Sequence, residues 1–238
     1  MEKDFKINKK PTFFEWLCKF VGNLFFYTCL ILALGLVVFT FCLTECEVTG
    51  ASMQPTLNKL SPNKHDTVYL NKFNKSYAYG DIVVIESDDE AIIKRVIGLS
   101  GDVIDIVETH IDSGIIYKLE RNGEIIDEDY ILISTDVTIG TDKKNGMYKT
   151  LKNFQDLKKT CPEQFNADGK LVVGDGKIFV LGDNRAVSSD SSSHGVFEMS
   201  QVTGKVEKIR YYEENQILFV IDYLWKGDFL KTMVNALI

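Results

Sequence analysis

The apolar positions of this chain are unevenly distributed. From Phe20 to Thr44 there is no Asp, Glu, Lys or Arg over 25 residues, and a helix of that length reaches about 37 Å, enough to cross a hydrocarbon layer of about 30 Å with some tilt. Beyond Glu47 the pattern changes to short β-branched runs bounded by Gly, Asn and Asp: Thr67 to Leu70, Asp81 to Ile85 and Ala91 to Ile97. Val103 to Val107, Ile115 to Leu119, Leu171 to Val173, Lys177 to Leu181 and Gly204 to Tyr212 continue it, with turn pairs such as Asn122-Gly123 and Asp168-Gly169 between them. Runs of this kind predict strands, and without βαβ alternation they predict antiparallel ones. Asn153 to Lys159 is the one short helix expected. The polar, turn-rich segment 113–175 reads as an inserted cap. The tail from Ile217 to Ile238 is apolar but carries Asp222, Lys226, Asp228 and Lys231, so it is expected on the membrane surface or against the domain rather than across a bilayer. The expected fold is therefore mainly β: an antiparallel β-sheet domain over 45–238, preceded by one transmembrane helix over 20–44.

Three readings compete for the charge-free run. A buried core helix would keep a polar edge. A cleaved signal peptide has a shorter apolar region ending in small residues, whereas this run ends Leu43-Thr44-Glu45-Cys46; the same glutamate disfavours a lipoprotein site at Cys46. A retained anchor helix accounts for both length and ending. Lys3, Lys6, Lys9, Lys10 and Lys19 precede the run, Glu45 and Glu47 follow it, and the next lysine is Lys59. Excess positive charge marks the cytoplasmic side, so residues 1–19 are expected in the cytoplasm, with 45–238 on the outer face of the plasma membrane.

Composition narrows the function. A net charge of −7 without a basic stripe argues against a nucleic-acid partner. Five cysteines without a CxxC pair, and only three histidines, argue against an ordinary zinc site or a disulfide scaffold. No metal or cofactor is expected.

The candidate chemistry begins just past the anchor, in Val48-Thr49-Gly50-Ala51-Ser52-Met53-Gln54-Pro55-Thr56-Leu57. A serine among small residues before a proline is by itself a turn. Forty-two residues later Lys94 interrupts an apolar strand, where the two-residue period sets Ile92, Lys94 and Val96 on one face. Lysine is common on edge strands as protection against aggregation. Surrounded by apolar side chains, however, an ammonium loses hydration, its pKa falls from about 10.4, and the neutral amine can act as a base. Such an amine beside Ser52 would take the hydroxyl proton without a histidine, and His65, His110 and His194 lie in no triad-like context. A third cluster, Gly182-Asp183-Asn184-Arg185 through Ser188 to Ser191, follows a strand and offers Ser188 as a hydroxyl to orient the base.

Taken in order behind one anchor, these segments resemble the bacterial type I signal peptidases, membrane-bound Ser/Lys endopeptidases that remove signal peptides from exported proteins. The motifs that carry the likeness are Ser52 to Thr56, Lys94-Arg95-Val96-Ile97-Gly98 through Gly101-Asp102, and Gly182 to Arg185. The resemblance implies Ser52 as nucleophile, Lys94 as general base, Ser188 as the hydroxyl holding the amine, and the Ser52 backbone N–H as oxyanion donor. Gly50 stands where some members carry an assisting serine, which places the chain with the Gram-positive type. It further implies an extended signal peptide lying beside the strand before the base, with Gly50, Met53, Leu57, Val83, Ile92 and Ile93 around pockets for small residues. Asp183, with Arg95 or Arg185, and Asp190 would support the site. Where the family has Asp-Ser-Arg this chain reads Asp190-Ser191-Ser192, and Ser100 replaces a common proline. The expected partners are signal peptides of secreted preproteins and membrane lipid. Two alternatives share features: self-cleaving repressors, which are cytosolic and carry a basic DNA-binding module, and inactive homologues that assist pilus or surface-protein assembly.

Overall fold

The computed structural model describes residues 12–60, 63–87, 90–111, 114–131 and 146–214; the tail over 217–238 and the lysines at 3, 6, 9 and 10 lie outside them. The chain divides into two compact units, Met1–Phe41 and Cys42–Ile238.

The first unit is built on one helix, α1 (Phe13–Cys42). It starts seven residues before the charge-free run, because Glu15 and Thr12 cap its first turn: the Thr12 N–H donates to Glu15 Oε2 at 2.9 Å. The large apolar side chains from Phe13 to Leu34 are exposed, and Phe13–Gly35 is long and apolar enough to cross a membrane. The helix ends at Cys42, before Thr44, because Leu43 and Thr44 are already strand: β1 (Leu43–Glu47) pairs antiparallel with β2 (Thr67–Asn71), Thr44 facing Leu70.

The second unit holds two antiparallel sheets. After β2 come β3 (Ile82–Ser87), β4 (Glu90–Leu99), β5 (Val103–Ile111), β6 (Gly114–Arg121), β7 (Glu124–Ile125), helix α2 (Gly146–Thr160), β8 (Leu171–Val172), β9 (Lys177–Leu181), the four-residue helix α3 (Ser191–His194), β10 (Phe197–Glu198) and β11 (Val202–Arg210). The larger sheet has the order β1-β2-β11-β3-β4-β9-β10 and the smaller one β7-β6-β5-β8. The smaller sheet thus opens at Val103, ten residues earlier than the polar composition of the cap suggested. β5 and β6 form one long hairpin, from Ile104 opposite Arg121 to Ile111 opposite Gly114, so the expected start of the cap at 113 falls between its two strands rather than at its base.

The unbroken apolar run Ile82 to Ile85 is explained by coverage on both faces of β3. Val83 and Ile85 belong to one buried cluster with Val96, Ile178 and Val180. Ile82 and Val84 belong to another with Met53, Leu57 and Val68. A third cluster seats α2 by Met147, Phe154 and Leu157, with Leu151 packed against it, on Ile104, Leu119, Phe179 and Leu181, a helical stripe at three- and four-residue spacing. The helix is twice the length that Asn153 to Lys159 alone indicated, and it joins the smaller sheet to the β4–β9 ladder.

Candidate active site

The site arises where β4 changes partners. Along Glu90–Arg95 it pairs with β3, placing Val83 opposite Lys94 and Ile82 opposite Arg95. Its other edge pairs with β9 only from Arg95, opposite Leu181, onward. Among the described residues no strand pairs with that second edge along Glu90–Lys94. Past Leu181 the chain leaves the sheet toward the serine turn, where the Asn184 N–H donates to the Ser52 carbonyl at 3.0 Å.

Lys94 Nζ lies 3.2 Å from Ser52 Oγ and donates to the Ile93 carbonyl at 2.8 Å. Lys94 is 3% exposed, and loss of hydration pushes its pKa below the ordinary lysine value, partly offset by the negative charges of Asp190, Glu90 and Asp183. The serine and the lysine singled out in the sequence are therefore brought together, with the amine desolvated.

The turn carrying Ser52 is fixed from both sides. Gly50 opens it at a φ of +85°, a conformation that favours glycine. Asn58, itself at positive φ, donates through Nδ2 to the carbonyls of Val48 and Gly50, both at 2.9 Å. The Asn58 N–H donates to Asp66 Oδ2 at 2.6 Å, and the Asp66 N–H returns a bond to Asn58 Oδ1 at 2.8 Å. Neither Asn58 nor Asp66 was found by sequence reasoning. The signal available was an Asn following a Pro-Thr-Leu turn, which tolerates the left-handed conformation.

Behind the lysine, Arg95 grips Asp183 with both arms of its guanidinium, Nε to Oδ1 at 2.8 Å and Nη2 to Oδ2 at 2.6 Å, a two-pronged geometry that fixes orientation. Thr56 Oγ1 donates to the same carboxylate at 2.5 Å, and Arg95 Nη1 donates to the Gly80 carbonyl at 2.9 Å. One ion pair thus ties the serine turn, β4 and the loop after β9. The guanidinium also lies over the Tyr130 ring at 4.1 Å, and burial pushes the Tyr130 hydroxyl pKa well up. Of the two arginines considered for Asp183, Arg95 is the partner; Arg185 pairs instead with Glu128.

Asp190 is buried, and among the described residues no arginine pairs with it. Its carboxylate accepts from the Gly182 N–H at 2.9 Å and the Ser192 N–H at 3.0 Å, the second bond capping α3. Where the family pattern has arginine, Ser192 Oγ accepts from Asn153 Nδ2 at 3.2 Å. Two backbone amides and a short cap do the organising. Ser188 is 2% exposed, and its hydroxyl has no hydrogen-bond partner among the described residues. The expected bond to Lys94 is therefore not formed; the amine is held by the Ile93 carbonyl. The hydroxyl packs beside Gly182, next to the Ser52 carbonyl.

The residues expected around substrate pockets divide between two faces. Met53 and Leu57 are buried together with Ile82 and Val84, with Ile93 packed against them. Val83 and Ile92 belong to the opposite cluster, on the side of Val96. Among the described residues no group of His, Cys, Asp and Glu could hold a metal ion.

A buried lysine amine in reach of a serine hydroxyl, on an antiparallel sheet, can take up the hydroxyl proton and so activate a nucleophile. Residues 20–211 match the family described as "Signal peptidase, peptidase S26"; the chain belongs to this family, and it is a hydrolase of the signal peptidase I type. It is 28% identical over 219 residues to signal peptidase I S of Bacillus subtilis (strain 168), covering 90% of this chain and 97% of that one. To signal peptidase IB of Staphylococcus aureus (strain N315) it is 33% identical over 180 residues, covering 71% of this chain and 78% of the relative. A crystal structure of a signal peptidase I from Enterococcus faecalis V583 is 27% identical, covering 55% of this chain and 97% of that one, with a TM-score of 0.35.

Proposed function

We propose that this protein is a membrane-anchored endopeptidase that removes signal peptides from exported preproteins after a small-x-small sequence, with Ser52 as nucleophile and Lys94 as general base. The observation that carries this reading is the 3.2 Å approach of Ser52 Oγ to an amine whose charged form is disfavoured by burial. The neutral amine accepts the hydroxyl proton as Oγ attacks the scissile carbonyl carbon. The resulting ammonium then returns that proton to the leaving amine. In the second half Lys94 takes a proton from water, which attacks the acyl-serine, releases the signal peptide's new carboxylate and restores the hydroxyl. The Ser52 N–H meets the developing oxyanion, where one well-placed donor contributes about 3 kcal/mol.

The substrate adds as an extended strand to the free Glu90–Lys94 edge of β4, the form of recognition in which main-chain bonds supply affinity. A strand presents alternate side chains to one face, so the first and third positions before the cut meet the same wall, formed by Met53, Leu57 and Ile93 with Gly50 at its end, while the second points away. Val83 and Ile92 shape the opposite side around the amine. Small residues fit where the wall is close.

The exposed apolar face of α1 is covered by lipid. The lysines before the helix and the glutamates after it support a cytoplasmic N-terminus and a β unit outside, the compartment in which exported preproteins emerge.

The deciding experiment is cleavage of a preprotein by the full chain in detergent. Cutting after the small-x-small site is expected, with rates reduced at least about a thousandfold in Ser52→Ala and in Lys94→Ala. Full activity in either variant would refute the dyad.

A further inference from the structure

The loop from Gly182 to Ser192 supplies two groups to the site: the Asn184 N–H on the Ser52 carbonyl, and Asp190, first among the negative charges acting on Lys94. Its internal bonds are few. Arg185 Nε donates to the Gly182 carbonyl at 2.9 Å, the N–H groups of Val187 and Ser188 reach the Asn184 carbonyl, and Asp190 accepts two amides.

Beside the Arg95 and Thr56 bonds to Asp183, three residues of the segment joining β7 to β8 also bind the loop. Glu128 binds the Arg185 guanidinium through both oxygens, with Arg185 Nη1 to Glu128 Oε2 at 3.2 Å and a shorter contact from Nη2 to Oε1. Lys149 Nζ donates to the Ser188 carbonyl at 3.1 Å. Asn153 Nδ2 donates to Ser192 Oγ at 3.2 Å. Lys149 and Asn153 stand four residues apart, neighbours on one face of α2. The adjacent stripe, Met147, Phe154 and Leu157, is fixed in the core. Lys149 and Asn153 therefore project from a seated helix onto the middle and end of an active-site loop, and Glu128, which precedes that helix in the chain, holds its start.

We propose that this inserted segment is a positioning element for the active site: Glu128, Lys149 and Asn153 hold the Gly182–Ser192 loop, and through it Asn184 and Asp190, against Ser52 and Lys94. None of the three touches the reacting atoms. Their effect passes through the loop, which keeps the serine turn in register and water away from the amine. The inference rests on the Ser/Lys reading above.

The test compares wild type, Asn153→Ala, Lys149→Met and Lys149→Arg as full chains in detergent. With a preprotein substrate, Asn153→Ala and Lys149→Met are each expected to lower kcat about tenfold with KM within about twofold. They should also move the acid limb of the kcat/KM profile to higher pH, as the Lys94 amine regains hydration among Asp190, Asp183 and Glu90. Lys149→Arg, which keeps a donor at the Ser188 carbonyl, restores the wild-type profile. A role in stability alone would leave the profile in place. Hydrogen exchange provides a readout independent of catalysis: the Ser188 and Ser192 amides are expected to exchange faster in Lys149→Met and Asn153→Ala than in wild type. Unchanged exchange, or a wild-type kcat and profile in both variants, would overturn the positioning role. Absence of cleavage by wild type, or activity surviving Ser52→Ala, would overturn the peptidase reading instead and leave the exchange result to decide this one.

Discussion

Val83 stands directly across the β3–β4 ladder from Lys94, fully buried, so the amine has a hydrocarbon neighbour where an exposed strand would offer water. This neighbour is one source of the lowered lysine pKa, and it makes the site's pH behaviour predictable.

On the Ser/Lys reading proposed above, the neutral amine is the active form of the base. Its fraction rises with pH up to the lowered pKa and is constant above it, so log kcat/KM should climb with a slope near one and level off below about 10.4, the ordinary lysine value. Initial rates of preprotein cleavage from pH 5 to 10 test this. A flat profile would exclude a lysine base.

The same burial has a thermodynamic side. The folded pKa is depressed, so between it and the unfolded value of about 10.4 the unfolded chain binds more protons and stability increases with pH. The full contribution is present above the unfolded value and is lost as pH falls to the folded one. Measured against Lys94→Met, which has no amine to protonate, wild type should lose stability across that window with a slope of at most about 1.4 kcal/mol per pH unit. Denaturant melts of both proteins at several pH values would show parallel lines if the lysine were already hydrated in the fold.

Gly182 has no room for a methyl group. A Cβ there would come within 2.6 Å of the Ser52 carbonyl oxygen and of Ser188 Cβ, and against Ser188 Oγ. One of these neighbours is backbone and cannot swing aside. Gly182→Ala is expected to cost about 1–3 kcal/mol by overpacking and to lower kcat at least about tenfold by displacing the serine turn. A variant with wild-type melting temperature and kcat would show that the turn is more compliant than the structure indicates.

The Arg185–Glu128 pair is buried on both sides, at 2% and 6% side-chain exposure. Removing one partner strands the other's charge, so Glu128→Ala is expected to destabilise by about 3–5 kcal/mol, whereas Glu128→Ala combined with Arg185→Met should recover much of that loss. Thermal melts of the single and double variants decide it; equal losses in both would mean that the pair contributes through packing rather than charge.

What the sequence disclosed follows the physics of near neighbours. Lys94 was legible because one charge inside a period-two apolar strand is conspicuous, and Ser52 because small residues and proline mark its turn. The strand runs were legible for the same reason. The partners were not: Asn58 with Asp66, Arg185 with Glu128 and Ser192 with Asn153 are separated by 8, 57 and 39 positions, and no local spacing selects among the polar residues available at such range. Nor could it reveal that β5 belongs to the smaller sheet, since a strand's alternation reports that one face is covered and not by which layer. The side chain of Ser188 shows the remaining limit, because its placement follows from bonds to its backbone, the N–H donating to the Asn184 carbonyl and the carbonyl accepting from Lys149 Nζ, rather than from its own hydroxyl.

On the substrate reading proposed above, the handover at Arg95, before which no described strand pairs with that edge of β4, has a consequence for what the enzyme can be fed. The open stretch Glu90–Lys94 is about 17 Å of backbone, and only a chain already drawn out can lie along it. A preprotein whose first mature residues had folded up to the junction would offer no such length. Cleavage would then report on timing: the cut belongs to the interval between a polypeptide's arrival and its folding, and a passenger that folds quickly and tightly against its leader would keep that leader.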